Sequence, residues 1–309
     1  MKRLFLSLAC LGFASVVYSA PIEFVGTIVA DTTLNVPSDF ATIQDALSYL
    51  SDKSIADEVN VTIQVADGTY SDYALVEVTH KDSDKIKLIG NTTNCNLCVL
   101  NFAAGQGGIY IRGRRLGYLD GFKLVGTDTV GTHGIYARDN GAIYCGPNIC
   151  VESFDSGFWA EHSSSLRVNG CRASSCVIGF LSSYCSSMYA QSCKSWSNSK
   201  GYFASSGATI NGSNSSSSNN IVGYIAWGSS SMNLEGAIAR NNSSVGFQAS
   251  LGSSIGLSSN SISSGNTSYG IFASRGSIVY AASATITNNA VNYSPSLGTT
   301  GNQNSLITN

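Results

Sequence analysis

The chain has 309 residues, of which only 12% are charged, and a net charge of −2. So few cations leave no basic groove for nucleic acid. A hydrophobic content of 43% is too high for a disordered chain, despite the abundance of glycine, serine and asparagine.

Residues 1–20, MKRLFLSLACLGFASVVYSA, begin with Lys2 and Arg3, run apolar from Leu4 to Val17, and end on the small residues Ser19 and Ala20. This is the layout of a secretory signal peptide, and the apolar run is too short for a comfortable membrane span. It predicts a secreted, extracellular protein. No later segment is long and apolar enough to cross a membrane, so no membrane partner is expected. Eight of the nine cysteines lie beyond residue 20, an even number that suits disulfides in an oxidising compartment.

Residues 21–105 read as an N-terminal cap with the first coils of a repeat. Ser38 is placed to cap a helix of about three turns, with Phe40, Ile43, Ala46, Leu47 and Leu50 on one face. Val59, Val61, Ile63 and Val65 then alternate as a strand, Asp67-Gly68 marks a turn, and Ile86 and Leu88 begin another strand.

Residues 106–292 repeat a phrase: Gly, a large apolar residue, any residue, then Ala. Its glycines are Gly134, Gly157, Gly179, Gly201, Gly223, Gly246 and Gly270, with a less regular copy at Gly108. A period of about 22 residues indicates a solenoid. One residue after each glycine stand Ile135, Phe158, Phe180, Tyr202, Tyr224, Phe247 and Ile271; two further on the residue is Ala, or Ser at 182. A spacing of two is one face of a strand. Nine residues after the glycine a second strand holds Ile143, Leu166, Met188, Ile210, Met232 and Ile255, with Ile278 and Tyr280 continuing its inward face. A third, weaker strand includes Cys171-Arg172-Ala173 and Ala237-Ile238-Ala239. Three short strands per turn make an all-β parallel β-helix. Asn198, Asn220, Asn242, Asn266 and Asn289 recur before the glycines, as a corner ladder of amides tolerant of left-handed backbone. Residues 293–309 form a C-terminal tail.

The segments ATIQDAL, VTIQVADGTY and KIKLIGN resemble the opening of the pectin-lyase-like right-handed parallel β-helix superfamily. There a helix of this kind plugs the open end of the solenoid, whose strand edges need covering. The repeats and the ending resemble β-helices of phage tail fibres and spikes and of secreted bacterial proteins. The likeness implies handedness and fold; because this fold hosts esterases, lyases, hydrolases and adhesins, it does not fix an activity. The esterase and galacturonan-hydrolase motifs of the superfamily are missing. After Glu161 the only acidic residue is Glu235, so the C-terminal half lacks calcium ligands. No metal site and no cofactor are expected.

One polar patch qualifies as chemistry. Arg138 and Glu161 occupy equivalent outward positions on neighbouring coils, followed by Asp139 and His162. They are candidate catalytic residues: His162 with Asp139 as an acid/base pair, near Glu161, beside an arginine for a developing anion. A ladder of surface ion pairs between coils is the alternative. Cys95 and Cys98 suit a disulfide better than a zinc knuckle. Cys171 and Cys193 share one repeat position and suit either a second disulfide or a column of buried thiols.

Two residues after each glycine the parity points outward, yet the positions hold Tyr110, Tyr136, Trp159, Leu181, Phe203, Ile225, Gln248 and Phe272. Such an apolar stripe needs an occupant. It suits a homotrimer contact, a covering loop, or a platform for sugar rings, with Tyr110, Tyr136, Trp159, Phe203 and Phe272 as binding residues. The sequence thus points to a non-catalytic extracellular fibre, spike or adhesin that binds a polysaccharide or cell-surface glycan. The alternative is a polysaccharide lyase or glycoside hydrolase acting at the Arg138 patch.

Overall fold

The computed structural model describes residues 26–258, 260–295 and 305–308. The expected signal peptide, residues 1–20, lies outside them. Each turn of the 22-residue repeat lays down three strands, as in Thr209–Asn211, Ser216–Ser218 and Val222–Trp227. Stacked turns join these into three parallel sheets. Sheet 1 has 12 strands, from Thr32–Val36 to Leu306–Thr308. Sheet 2 has 10, from Gly68–Tyr73 to Thr285–Thr287, and sheet 3 has 10, from Val76–Val78 to Val291–Ser294. At about 4.8 Å per rung sheet 1 runs for about 50 Å. The stack continues unbroken across residue 105, where Val76–Val78 pairs with Ile109–Arg112, and into the tail, where Ile278 pairs with Leu306.

The repeat phrase is the sheet 3 strand. Its first apolar residue points inward and stacks on its counterparts: Phe158 on Phe180 at 4.8 Å, Phe180 on Tyr202 at 4.7 Å, Tyr202 on Tyr224 at 4.7 Å, and Tyr224 on Phe247 at 5.0 Å. All five rings are fully buried. The inward alanines leave room for this column. The glycine is there for space rather than for backbone freedom: a Cβ on Gly201 would lie 2.4 Å from the Gly223 carbonyl oxygen and 2.1 Å from Ser217 Oγ.

That crowding comes from the corner between sheets 2 and 3, where the asparagine ladder is buried. Oδ1 of Asn220 accepts the backbone N–H of Asn198 at 2.8 Å, and Asn242 and Asn266 repeat the bond at 3.1 and 3.0 Å. Nδ2 of Asn220 donates to Ser217 Oγ at 2.9 Å and to the Ser195 carbonyl at 3.2 Å. The left-handed residues at this corner are not the ladder asparagines but the ones before them, Ser197, Asn219, Asn241, Gly265 and Asn288. Because Asn220→Ala strands the Asn198 N–H in a buried site, it is expected to cost about 3 kcal/mol, read as a lower urea midpoint at unchanged slope.

Several expectations need correction. The helix, α1, spans Ile43–Leu50, two turns rather than three, and Thr42, not Ser38, caps it through a capping box with Asp45. Ser38 instead belongs to a turn in which Asp39 accepts the Asn35 N–H at 2.9 Å. Phe40 precedes α1 and packs on Tyr49. Ile43, Ala46, Leu47 and Leu50 are buried. In the last full coil Val279 and Ala281 face inward, in register with Ile255 and Leu257; Ile278 and Tyr280 face outward.

The Cys95–Cys98 disulfide is replaced by Cys95–Cys150. Cys95 starts a 3-10 turn, Cys95–Leu97, while Cys98 opens the next strand with its side chain in the core. Cys95 therefore meets the outward Cys150 of sheet 2. Cys171 and Cys193 are free and buried: their thiols donate to the Gly146 carbonyl at 3.3 Å and the Val168 carbonyl at 2.7 Å, and burial raises both pKa values. Cys150→Ser opens a cross-link spanning 55 residues and is expected to destabilise the chain by about 2–4 kcal/mol. Loss of the melting shift between oxidised and reduced protein in this variant checks it.

Candidate functional site

Sheet 3 places the expected polar patch together. Arg138 pairs in register with Glu161 and with Arg112. The strand then bends through two left-handed residues per coil, Asp139-Asn140 and His162-Ser163, which carries Asp139 and His162 over the corner. Arg112 Nε binds Asp139 Oδ2 at 2.7 Å. Arg138 Nε lies 3.4 Å from Glu161 and 3.7 Å from Asp139; His162 Nδ1 lies 3.3 Å from Asp139 and 3.7 Å from Glu161. Neither Arg138 Nε nor His162 Nδ1 is in hydrogen-bonding geometry there. Glu161 has outward parity but is only 7% exposed, and its Oε2 accepts the Tyr136 hydroxyl from the preceding rung. All four expected residues thus meet in one network of two arginines, two carboxylates and a histidine.

The apolar stripe is also in register, from Tyr110 through Tyr136, Trp159, Leu181, Phe203, Ile225 and Gln248 to Phe272. Leu181 and Ile225 are buried and the aromatic members half-buried. The rings stack along the rod: Tyr110 against Tyr136 at 5.1 Å and Tyr136 against Trp159 at 4.6 Å. Both faces of Tyr136 are therefore occupied by other rings. Lys200 lies 4.4 Å above the Phe203 ring. A cleft of about 300 Å³, which Tyr110, Tyr136 and Arg138 help to line, opens at the N-terminal end of the stripe.

A second surface, on sheet 1, was not singled out from the sequence. Ten residues after each glycine, between the two inward positions, the register runs Tyr144, Arg167, Tyr189, Asn211, Asn233, Gly256 and Tyr280. Tyr118 precedes them, 5.2 Å from Tyr144. Tyr144 is 40% exposed and Tyr189 49%, more open than any ring of the stripe. The Arg167 guanidinium sits 5.1 Å over the Tyr144 ring, where cation and ring attract. Beside this row runs one of small residues, Ala142, Ser165, Ser187, Thr209 and Ser231. Large and small rows together form a trough. One stretch of about 490 Å³ is lined by Arg115, Tyr144, Arg167 and Tyr189, and a further stretch of about 220 Å³ by Tyr189, Asn211 and Asn233. No carboxylate lines either stretch, and among the described residues neither Arg115 nor Arg167 forms an ion pair. Among the described residues, no group of three or more His, Cys, Asp or Glu could hold a metal ion.

No protein-family profile matches the chain, and no curated protein matches its sequence. Among solved structures it is similar to pectate lyase Pel9A, with a TM-score of 0.50 and 15% identity over 86% of this chain and 79% of that one. It also aligns with the catalytic domain of a GH87 α-1,3-glucanase (TM-score 0.45, 12% identity, 90% of this chain and 68% of that one). A third match is the A-module of Azotobacter vinelandii mannuronan C-5 epimerase AlgE6 (TM-score 0.41, 12% identity, 81% and 90%). Three stacked parallel sheets, the inner ladders and the alignment with the first of these give one answer: the chain folds as a parallel β-helix of the pectate-lyase kind.

Proposed function

We propose that this chain is a secreted, non-catalytic β-helix protein of the fibre, spike or adhesin kind, which holds a polysaccharide along the trough of sheet 1. The observation that carries this reading is the exposed Tyr144–Arg167–Tyr189 row continued by Asn211 and Asn233. Aromatic rings offer apolar surface to sugar C–H groups, while amides and guanidinium groups bond hydroxyls and carboxylates. The rungs repeat along the rod, as sugar units repeat along an extended glycan. Two arginines without acidic partners favour an acidic chain. Residues 1–20 serve as the signal peptide, the helix is right-handed, and α1 plugs its N-terminal end. The C-terminal stretch of the stripe, from Leu181 to Phe272, suits contact between copies in a homotrimer. Co-sedimentation with insoluble acidic and neutral glycans tests the main claim. Binding to an acidic polymer that weakens with added salt supports it, and retention on none of the polymers overturns it.

The second reading, a polysaccharide lyase or glycoside hydrolase working at Arg138, Asp139, Glu161 and His162, rests on the buried carboxylate of Glu161 beside an arginine. Release of new chain ends from a glycan, abolished in Glu161→Gln with His162→Ala, is the result it requires. Unchanged release in that double variant sinks the assignment.

A further inference from the structure

The cleft at the N-terminal end of sheet 3 has features the polymer trough lacks. Its volume, about 300 Å³, is at the lower end for ligand pockets and suits one sugar unit rather than a chain. Leu75 and the backbone at Gly107 and Gly131 wall it. Tyr110 ends the row of stacked rings: the residue before it in register is Glu77, so among the described residues its far face meets no other ring. His133 packs edge-on against Trp159 at 4.4 Å and against Tyr136 at 5.0 Å. Its Nδ1 is buried and closed to a ligand, so His133 serves the cleft as part of its wall. Burial also lowers the His133 pKa, which keeps this wall of the cleft uncharged.

We infer that this cleft is a second saccharide site, separate from the trough, which takes a single uncharged sugar such as a chain terminus. The ring stacks on Tyr110, packs against His133, and bonds the Arg138 guanidinium through its hydroxyls. Arg112 and Arg138 are outnumbered there by Glu77 beside Tyr110, Asp155 on the Gly131 N–H, Asp139 and Glu161, so the site does not favour an anion. Glu161 is then a positioning residue: by accepting the Tyr136 hydroxyl it fixes the ring on which Tyr110 leans.

Trp159 touches both Tyr136 and His133 and so reports on the cleft. With Trp196→Phe and Trp227→Phe removing the other two indoles, fluorescence is titrated with the methyl glycosides of glucose, galactose and mannose. A saturable change with at least one of them is expected. Tyr110→Ala and His133→Ala should each weaken it by roughly tenfold, while Tyr189→Ala in the trough leaves it unaltered. If Tyr110→Ala fails to fold, Tyr110→Leu keeps the bulk and removes the aromatic face. No saturable change with any of the three sugars, a response that survives both variants, or a response only to glucuronate would overturn the inference. Because polymer retention is scored on a different face, its loss leaves this result standing, and the reverse holds too.

Discussion

Phe180→Ala is expected to lower stability by about 4 kcal/mol and to turn one unfolding transition into two. The Phe180 ring is fully buried between Phe158 at 4.8 Å and Tyr202 at 4.7 Å, nearly parallel to both. Its removal leaves a void that the neighbouring rungs cannot close without breaking their own pairing, since a coil is fixed by the hydrogen bonds above and below it. A solenoid is held together mainly by contacts between adjacent turns. A weak turn in the middle therefore uncouples the two halves instead of weakening the whole evenly. Urea unfolding followed by fluorescence, with limited proteolysis near residue 180, checks both parts. Phe203→Ala, a half-buried ring on the outer face of the same sheet, supplies the comparison and should cost less than half as much. If the two variants cost the same, the assignment of inner and outer faces is wrong.

That assignment was legible because the phrase repeats with strand parity. The large residue one after each glycine and the alanine three after it have the spacing of one strand face, and both are inside. The amide ladder was legible for a related reason. Asparagine at a fixed place in successive coils, each coil about 4.8 Å from the next, can bond its neighbour's backbone, and Asn220 and Asn242 do. The cysteine pairing was not legible. Sequence spacing favoured Cys95 with Cys98, but a 3-10 turn and the inward start of a strand send the two side chains apart, and neither is encoded by spacing. The helix start was misplaced because Ser38 and Thr42 both have capping side chains; the reciprocal bond from Asp45 selects Thr42.

The site was half legible. The Arg138, Asp139, Glu161 and His162 patch follows from repeat arithmetic, and the structure brings the four together. Burial of Glu161 does not follow from that arithmetic, since outward parity alone predicts an exposed side chain. The trough on sheet 1 left a signal that inward-looking patterns pass over. Positions nine and eleven after the glycine define the core, and the residue between them is free to vary. Yet Tyr144, Arg167 and Tyr189 occupy it on consecutive coils, then Asn211 and Asn233. The stripe on sheet 3 drew attention first because its residues are more apolar. Stacked along the rod, however, its rings turn their faces to one another, whereas Tyr189 and the Tyr144 ring under Arg167 keep 49% and 40% of their surface exposed.

The variant Arg167→Gln with Tyr189→Ala is expected to weaken binding of an acidic polysaccharide by about a hundredfold, without lowering the melting temperature. The reasoning is additive over two kinds of contact. Loss of a charge-assisted bond to a carboxylate costs about 1.5–3 kcal/mol, and loss of an aromatic contact about 0.5–1.5 kcal/mol. Together they come to about 2–4.5 kcal/mol, a range centred near the roughly 2.8 kcal/mol that a hundredfold change requires. Stability should be spared because both side chains point out of sheet 1 and neither joins the core column. Arg167→Gln alone should also flatten the salt dependence, since the charge it removes is the one that salt screens. Tyr189→Ala alone should weaken binding while leaving that dependence intact. Isothermal titration at two ionic strengths separates these effects. Equal salt slopes in wild-type and Arg167→Gln protein would mean that the guanidinium does not meet a negative charge, and the trough would then be assigned to a neutral glycan.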